Sequence, residues 1–212
     1  MNKCLICFNF VEETIVPLKV CKSCINQFEV MEKTILLDKV EVLILYKYND
    51  FFKEILYRYK GCYDYLLKDA FLNNYIVRLK RKYKNYFIVC APSYKGDDKK
   101  RGFNHITEIA KVLSLPIIDC LRKSKNYKQS DQKMKDRNAV KNIIKIDKSK
   151  LKNVKRVLIL DDVTTSLSTL KTIIGLLPTN IAIKALVLAS NCRFEGNENV
   201  WLELIKINKI SL

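Results

Sequence analysis

The hydrophobic pattern of the chain contains one stretch in which strand, polar turn and helix follow each other directly. The continuous apolar run Val157 to Leu160 predicts a strand buried on both faces of a parallel sheet. After a polar turn, Leu170, Ile173, Ile174 and Leu177 recur at helical spacing. This order is typical of half a βαβ unit, so we expect a parallel sheet at the centre of the molecule.

The same pattern recurs along most of the chain. Apolar runs predict strands at 40–48, 86–92, 116–120 and 181–189, and alternating Leu and Ile in 199–212 predict an edge strand. Helical spacing predicts helices at 51–61, 66–79 and 106–113. We expect the aromatic residues at helical positions to be core, namely Phe52, Tyr59, Phe71 and Tyr75. The predicted fold class is α/β, a parallel sheet flanked by helices.

The turn after the Val157 to Leu160 strand has the chemistry of a sugar-phosphate site. Ligands of open α/β sheets bind at the carboxyl ends of the strands, and the N-terminus of the following helix attracts an anion. Asp161 and Asp162 lie at that rim, where carboxylates accept hydrogen bonds from sugar hydroxyls or hold Mg²⁺. The alternative is an ordinary strand end with an aspartate as helix cap.

Two C-x2-C pairs near the N-terminus predict a metal site. Cys4 and Cys7 are separated from Cys21 and Cys24 by thirteen residues, which matches a closed four-thiolate structural zinc site. A pair of redox dithiols is the alternative, but the βαβ surroundings of such sites are missing from this stretch. We interpret the single cysteines as core thiols, namely Cys62, Cys90, Cys120 and Cys192.

A formal net charge of +17 predicts a polyanionic partner, chiefly nucleic acid, with an acidic membrane surface as the other candidate. Aromatic residues interleaved with basic ones through 46–86 favour a single strand. A lysine-rich composition that merely solvates the surface is the alternative. The candidate nucleic-acid residues are Arg78, Lys80, Arg81, Lys82 and Lys84, with Lys123, Lys125 and Lys128 in the lysine-dense stretch 122–155. No apolar run approaches the roughly 20 residues of a membrane span, and the N-terminus lacks a signal-peptide pattern. We therefore expect a cytoplasmic chain.

The stretch 156–170 resembles the PRPP (phosphoribosyl pyrophosphate) fingerprint of type I phosphoribosyltransferases. The resemblance implies that Asp161 and Asp162 hold the ribose hydroxyls and are the catalytic residues. It places the 5′-phosphate on the hydroxyl-rich turn, at Thr164, Thr165, Ser166 and Thr169. Where that family usually has a small residue, most often Gly, this chain has Leu167. A side chain there is expected to obstruct close phosphate approach or a positive φ.

A basic loop after the 86–92 strand, S-Y-K-G-D-D-K-K-R-G-F-N-H, stands where such an enzyme binds pyrophosphate. Lys95, Lys99, Lys100 and Arg101 are the phosphate partners predicted there, and the alternative is an ordinary charged turn. His105 is the single histidine, so we expect no His-based acid–base pair.

Four motifs in order narrow the resemblance to the ComF family of competence proteins. They are the Cys₄ ribbon, the segment Tyr46 through Tyr59-Lys60-Gly61 to Asp64, R-G-F-N and D-D-x-T-T. The family implies a phosphoribosyltransferase-like domain with a small N-terminal zinc ribbon. The predicted domains are the ribbon at 1–35, a connecting strand and helices at 36–84, and the phosphoribosyltransferase-like domain at 85–212.

Three functions follow from this resemblance. The first is a ComF-type protein of DNA uptake in natural transformation, with single-stranded DNA on the basic surface and PRPP or a similar sugar phosphate at the 161–169 turn. The second is an active phosphoribosyltransferase that uses Mg²⁺ with PRPP and an unknown acceptor. The third is an adaptor whose zinc ribbon docks a partner protein, such as a recombination protein or a helicase.

Overall fold

A five-stranded sheet forms the centre of the computed structural model, which describes residues 2–12, 19–123 and 144–191. The strands are β1 (Asn2–Lys3), β2 (Phe10–Val11), β3 (Val30–Leu37), β4 (Val40–Lys47), β5 (Phe87–Cys90), β6 (Leu121–Lys123), β7 (Ile144–Ile146), β8 (Arg156–Thr164) and β9 (Ala182–Ser190). The helices are α1 (Lys22–Asn26), α2 (Asp50–Gly61), α3 (Ile76–Lys82), α4 (Lys95–Arg101), α5 (His105–Lys111) and α6 (Ser168–Leu176). Short 3₁₀ segments lie at Tyr65–Phe71, Asn73–Tyr75 and Lys148–Leu151.

The central sheet has the order β3-β4-β9-β8-β5, and four of its strands are parallel. β4 pairs with β9, β9 with β8 and β8 with β5 in parallel, while the edge strand β3 pairs antiparallel with β4. The predicted α/β class with a mostly parallel sheet is therefore confirmed. A parallel arrangement brings the carboxyl ends of β4, β5, β8 and β9 to one edge of the sheet.

Each face of the sheet is covered by its own apolar cluster. One cluster contains the aromatic rings of α2 and its neighbours, and Phe52, Tyr59, Phe71 and Tyr75 are all buried there as predicted. The other cluster packs the apolar side of α6, including Leu170, against β8 and β9. Because both faces are covered, the central strands are apolar without alternation, which is why the run Val157 to Leu160 was recognisable.

Several predicted elements differ from the structure. The stretch 66–79 is not one helix but two 3₁₀ segments followed by α3, and 116–120 contributes only an isolated bridge between Ile117 and Ile88. The basic loop contains the short helix α4, which ends at Gly102 with a φ of 83° that a residue with a side chain rarely adopts. Cys62 is exposed, so it is not a core thiol; Cys192 and the predicted strand at 199–212 lie outside the described residues.

The N-terminal cysteine segment packs against the central fold. Arg58 of α2 donates from Nη1 to the carbonyl oxygen of Ile6 at 2.7 Å and from Nη2 to that of Leu5 at 2.9 Å. Asp64 lies 3.2 Å from the same guanidinium, so the acidic residue of the Y-K-G-x-x-D motif orients Arg58. Strand β3 begins at Val30 and continues past residue 35, the predicted end of the ribbon, into the central sheet.

Candidate functional site

A cleft of about 1240 Å³ opens at the carboxyl ends of the parallel strands. β4, β5 and β8 each lead into it, and their ends contribute Tyr48, Ser93 and the pair Asp161 and Asp162. The predicted pair of acids therefore lies in a cleft at the sheet edge. The cleft is also lined by charged residues of both signs, of which the basic ones are Lys53, Lys60, Lys100, Arg101 and Lys123.

The Asp162 carboxylate is held by two long-range contacts. Lys60 Nζ donates to its Oδ2 at 2.5 Å, and His105 Nε2 lies 3.2 Å from the same oxygen. Its Oδ1 accepts the backbone N–H of Val163 at 2.8 Å. These contacts outweigh the effect of burial, which raises the pKa of a carboxyl group, and they hold the pKa of Asp162 well below its usual range. Asp162 is therefore ionised at neutral pH.

The neighbouring Asp161 has the opposite protonation state. Burial raises its pKa, and the Asp162 carboxylate raises it further, to about 8. The Asp161 side chain also accepts the backbone N–H of Asp162 at 2.9 Å, which lowers the pKa by a smaller amount. The two aspartates thus share one negative charge at neutral pH, with a neutral acid at 161 and a carboxylate at 162. A neutral carboxylic acid can donate a hydrogen bond to a ligand, and a carboxylate can only accept.

His105 belongs to this constellation, whereas the sequence predicted no part for it in acid–base chemistry. Arg101 Nη1 lies 3.2 Å from Nδ1 of His105, and because a guanidinium only donates, Nδ1 is the accepting nitrogen. The ring proton therefore resides on Nε2, where it is donated to Asp162. Burial lowers the pKa of His105 more than Asp162 raises it, so the imidazole is neutral at pH 7.

The turn between β8 and α6 provides the anion-receptive end of a helix. The first N–H groups of α6 have no partners within the helix, and its N-cap residue Leu167 offers no side-chain cap. By contrast, Asn49 and Asn104 cap α2 and α5 through their side-chain oxygens. A phosphate at the uncapped N-terminus of α6 would accept hydrogen bonds from these N–H groups and interact favourably with the helix dipole.

Leu167 adopts the left-handed conformation that the related motif assigns to a small residue. Its φ is 57° and its ψ is 6°. The side chain packs against the apolar cluster around α6 and does not belong to the cleft lining. The positive φ of Leu167 lowers the stability of the fold by about 1 to 2 kcal/mol. Because the side chain points away from the cleft lining, the expected obstruction of phosphate approach is not seen.

Some of the predicted PRPP-binding residues line the cleft, and others do not. Asp161, Asp162, Thr165, Ser166, Thr169 and Arg101 line the cleft. Thr164 is buried and its Oγ1 accepts the N–H of Leu167 at 3.0 Å, and Lys95 is not part of the lining. The Arg101 guanidinium donates to the carbonyl oxygen of Lys60 at 3.0 Å and to Asp98 at 3.1 Å, so it also holds α2 and α4 together.

Several cleft residues have no counterpart among the residues predicted from the sequence. Lys60 is the most important, and the Y-K-G motif that contains it was the only signal that pointed to it. Lys100, one of the predicted phosphate partners, lines the cleft as well. The residues missed besides Lys60 are Lys53, Tyr57 and Tyr94, with His105. Each lies on a helix or a loop whose position relative to β8 depends on the complete fold.

The four predicted zinc ligands lie together. The sulfur atoms of Cys4, Cys7, Cys21 and Cys24 are all within 4.8 Å of one another, with Cys4–Cys24 and Cys7–Cys21 separations of 3.9 Å. Tetrahedral Zn²⁺ at 2.3 Å from each thiolate requires sulfur–sulfur distances of about 3.8 Å. Burial raises the pKa of Cys4, but backbone N–H donors including those of Cys21 and Ile6 lower it to about 6. The group can hold a metal ion, consistent with structural zinc.

The predicted nucleic-acid residues that the structure describes lie in two places, around α3 and in the cleft. Arg78, Lys80, Arg81, Lys82 and Lys84, here called the α3 basic group, lie on and directly after α3. The pKa of Lys82 is lowered by burial and by Lys184, a residue near the amino-terminal end of β9. None of the five residues of the α3 basic group lines the cleft, and Arg78 forms an ion pair with Glu32 of β3. Lys123 instead lines the cleft, and Lys125 and Lys128 lie outside the described residues.

Comparison with known proteins found two similar sequences, and both are competence proteins ComFC. No protein-family model matches the chain. The competence protein ComFC of Streptococcus pneumoniae is 29% identical over 133 residues, which are 63% of this chain and 60% of that protein. ComFC of Bacillus subtilis is 33% identical over 95 residues, 44% of this chain and 40% of that protein. The matched segments therefore span less than two thirds of the length of these relatives.

Among solved structures, a hypoxanthine phosphoribosyltransferase from Staphylococcus aureus is similar at 17% identity and a TM-score of 0.36, over 61% of this chain and 69% of that chain. Within the described part of the chain, none of the helices has the length and apolar character needed to cross a membrane. The two ComFC relatives, the mostly parallel α/β sheet and the N-terminal cysteine cluster fit the ComF family, a zinc ribbon with a phosphoribosyltransferase-like domain, which confirms the resemblance seen in the sequence motifs.

Proposed function

We propose that this chain is a cytoplasmic ComF-type protein of DNA uptake in natural transformation. In this proposal the cleft binds PRPP or a similar sugar phosphate, and single-stranded DNA is held on the α3 basic group. The names of the two curated relatives, competence proteins ComFC, support the biological role. The formal net charge of +17 supports a polyanionic partner.

The observation that carries the sugar-phosphate proposal is the position of the Asp161–Asp162 pair beside an uncapped helix N-terminus. Both aspartates and the hydroxyl-bearing residues Thr165, Ser166 and Thr169 line the same cleft. The turn supplies N–H and hydroxyl donors for a phosphate, and the pair supplies one donor and one acceptor group for ribose hydroxyls. Mg²⁺ would enter with the pyrophosphate group of PRPP, since the Asp162 carboxylate already has three protein donors.

Calorimetric titration with PRPP tests this part. We expect binding by the full chain, and a loss of about tenfold or more in affinity for Thr169→Val, which removes one hydroxyl donor at the turn. Thr172→Val is the matched control, because Thr172 is in the same helix but its hydroxyl donates to the carbonyl oxygen of Ser168 and it does not line the cleft. Absence of any PRPP affinity in the wild-type chain would contradict the proposal.

Filter binding of a labelled single-stranded oligonucleotide over a range of salt concentrations tests the DNA part. Phosphate contacts by the α3 basic group predict that log K falls linearly with log salt. The double substitution Arg81→Ala and Lys84→Ala should weaken binding and make the slope shallower, while Lys22→Ala in α1 should do neither. Affinity that is indifferent to salt would contradict electrostatic binding.

Because no residue of the α3 basic group lines the cleft, the oligonucleotide and PRPP should bind together. Calorimetry with PRPP in the presence of saturating oligonucleotide should therefore give an affinity within about threefold of that without it. Strong competition would place the DNA at the cleft instead.

Phosphoribosyl transfer is a second candidate, supported by the opposite protonation states of Asp161 and Asp162. A neutral acid beside a carboxylate is an arrangement that can move a proton at a reacting group. The measurement is Mg²⁺-dependent consumption of PRPP with nucleobase acceptors, and Asp162→Ala should abolish it.

A third prediction is that the zinc ribbon docks a partner protein. In that case Cys4→Ser should remove partner capture and leave the affinity for PRPP intact.

A further inference from the structure

Arg58 of α2 holds the turn between the first two cysteines. Its guanidinium donates to the carbonyl oxygens of Leu5 and Ile6, at 2.9 and 2.7 Å, and both residues lie inside the first C-x2-C pair. The guanidinium also lies over the ring of Phe8, 4.8 Å from its centroid. Asp64 orients it from 3.2 Å, and the Arg58 side chain is only 17% exposed. Because a guanidinium fork fixes direction as well as distance, the turn and the end of α2 hold each other in place.

The two residues that follow Arg58 reach the cleft. The buried Tyr59 donates from its hydroxyl to the carbonyl oxygen of His105 at 2.8 Å. Lys60 Nζ lies 2.5 Å from Oδ2 of Asp162. The carbonyl oxygen of Arg58 accepts the two N–H groups that close the end of the helix. These backbone hydrogen bonds make the turn one unit, so a displacement of Arg58 moves the side chains of Tyr59 and Lys60 with it.

The cysteine segment is the part of this connection that can change its state. Its four sulfur atoms lie within 4.8 Å of one another, and thiolates at that distance repel each other unless a cation lies between them. In small ribbons metal binding and folding are one equilibrium, because a short segment has little core of its own. Here Ile6, Val20 and Ile25 belong to the same apolar cluster as Tyr59. Loss of the metal therefore loosens the carbonyl groups that Arg58 holds.

We propose that Arg58 is a positioning residue that couples the cysteine site to the cleft, so that the cleft holds a sugar phosphate more tightly when the four thiolates hold a metal ion. Arg58 acts through Tyr59 and Lys60, since it does not line the cleft itself. This inference rests on the proposed sugar-phosphate site and adds its regulation. A ribbon that only docks a partner protein makes the opposite prediction, because the cleft would then be indifferent to loss of the metal.

His105 reports the coupling without any ligand in the cleft. It is the single histidine of the chain, and its Nε2 lies 3.2 Å from the Asp162 oxygen that also accepts from Lys60. We expect its ring ¹⁵N resonances to shift when EDTA removes the metal from the wild-type chain. A merely structural role of Arg58 would leave the ring unchanged for as long as the sheet is folded.

Arg58→Met removes the guanidinium donors and keeps an unbranched side chain. The His105 resonances of this variant with metal bound should already resemble those of the metal-free wild-type chain, and EDTA should change them little. Asp64→Asn is a milder second variant, because it leaves Arg58 in place without its acidic partner, and its response to EDTA should be smaller than that of the wild-type chain. Arg122→Met is the matched control. This arginine pairs with Asp119 in β6, outside α2 and the cleft, so the variant should respond to EDTA like the wild-type chain.

Calorimetry with ribose 5-phosphate measures the coupling at the cleft. This ligand is used because EDTA would also remove Mg²⁺ from PRPP. Coupling free energies of the usual size correspond to about 5- to 150-fold, so the metal-free wild-type chain should bind at least about fivefold more weakly than the metal-loaded chain. In Arg58→Met the two affinities should agree within about threefold.

Circular dichroism of each sample verifies that the sheet is folded. Loss of the whole fold when the metal is removed overturns the proposal, since coupling through one turn of α2 requires an intact sheet. Equal affinities of the wild-type chain with and without the metal, together with unchanged His105 resonances, also overturn it and leave the sugar-phosphate site standing. Failure of the proposed function has a different result, namely no binding of ribose 5-phosphate even by the metal-loaded chain.

Discussion

The Nζ atom of Lys60 lies 2.5 Å from Oδ2 of Asp162, which joins the last turn of α2 to the carboxyl end of β8. The two residues that precede this lysine in α2 also have partners in distant parts of the chain. Arg58 donates to the carbonyl oxygens of the cysteine segment, and the Tyr59 hydroxyl donates to the carbonyl oxygen of His105 at 2.8 Å. Three consecutive residues thus connect the cysteine segment, the start of α5 and the cleft.

Lys60→Ala should lower the free energy of unfolding by about 2 kcal/mol at pH 7, because a buried carboxylate loses its cationic partner. The value is below that of a fully buried pair since the Lys60 side chain is 33% exposed. Urea denaturation measures it. Lys53→Ala on the same helix is the control and should change stability by less than about 0.5 kcal/mol.

The Lys60 substitution should also change the response to acid. The pKa of Asp162 is depressed, so the stability it contributes is present above its unfolded pKa near 4 and is lost as the pH falls through the lower folded value. Without Lys60 the folded pKa rises toward the unfolded value, so the loss should be smaller and should be complete at a higher pH. Identical acid denaturation of the two proteins would show that the ion pair contributes nothing to stability.

His105 gives a direct report on the cleft, because it is the single histidine of the chain. Long-range ¹H–¹⁵N NMR spectra should show a neutral ring with its proton on Nε2 at pH 7, and a pKa below the usual value. Lys60→Ala should raise this pKa by removing a nearby positive charge, and Asp162→Asn should lower it by removing the carboxylate. A ring that is protonated at pH 7 in the wild-type chain would contradict the assignment.

Asp161 should make stability fall as the pH rises. Its pKa is about 8 in the folded state against an ordinary value of 3.8, so the folded state binds more protons than the unfolded state between pH 4 and 8. The free energy of unfolding should therefore decrease by up to about 1.4 kcal/mol per pH unit in that window. Urea denaturation from pH 5 to 9 measures the slope.

Asp161→Asn should remove that part of the slope and stabilise the protein most at the alkaline end. Asp119→Asn is the control, because the Asp119 side chain is 74% exposed and its removal should leave the slope unchanged. The titratable groups around Asp161 are Asp162, Lys60 and, through Asp162, His105. A slope that persists in Asp161→Asn would assign the titration to one of those groups.

Cys24→Ser should abolish stoichiometric zinc and destabilise the chain. Structural zinc contributes about 10 to 16 kcal/mol of binding free energy in small ribbons, and here the ribbon is connected to α2 through Arg58. We expect the melting temperature to fall by about 5 °C or more. Elemental analysis and calorimetry measure both effects. Cys62→Ser, at an exposed cysteine outside the cluster, should keep the zinc and the melting temperature.

Leu167→Gly should change the free energy of unfolding by less than about 1 kcal/mol. Glycine relieves the positive φ but loses the apolar packing of the leucine, and the two effects are of similar size. Because the side chain does not line the cleft, affinity for ribose 5-phosphate should change by less than about threefold. A gain of tenfold or more would show that Leu167 obstructs the turn. Leu167→Asn, which tolerates the same backbone conformation, is the control.

The sequence predicted those structural elements and sites that depend on residues close together in the chain. The strand at Val157 to Leu160, the order of strand, turn and helix, and the cysteine spacing each depend on residues close together in the chain. The stretch 66–79 has a helical pattern but forms 3₁₀ segments before α3. Helical periodicity identifies the buried face of a segment, while packing against neighbouring elements decides how the backbone winds.

By itself, the sequence determined the α/β sheet, the placement of two aspartates at the end of an inner strand, and a cysteine set suited to a metal. Only the tertiary structure decided that Lys60, 102 residues from Asp162, is its ion-pair partner, and that His105 approaches the same oxygen. It also showed that no residue of the α3 basic group lines the cleft. The physical reason is that periodicity and spacing act within one segment, whereas partners of a buried charge are chosen when distant segments pack together and water is excluded.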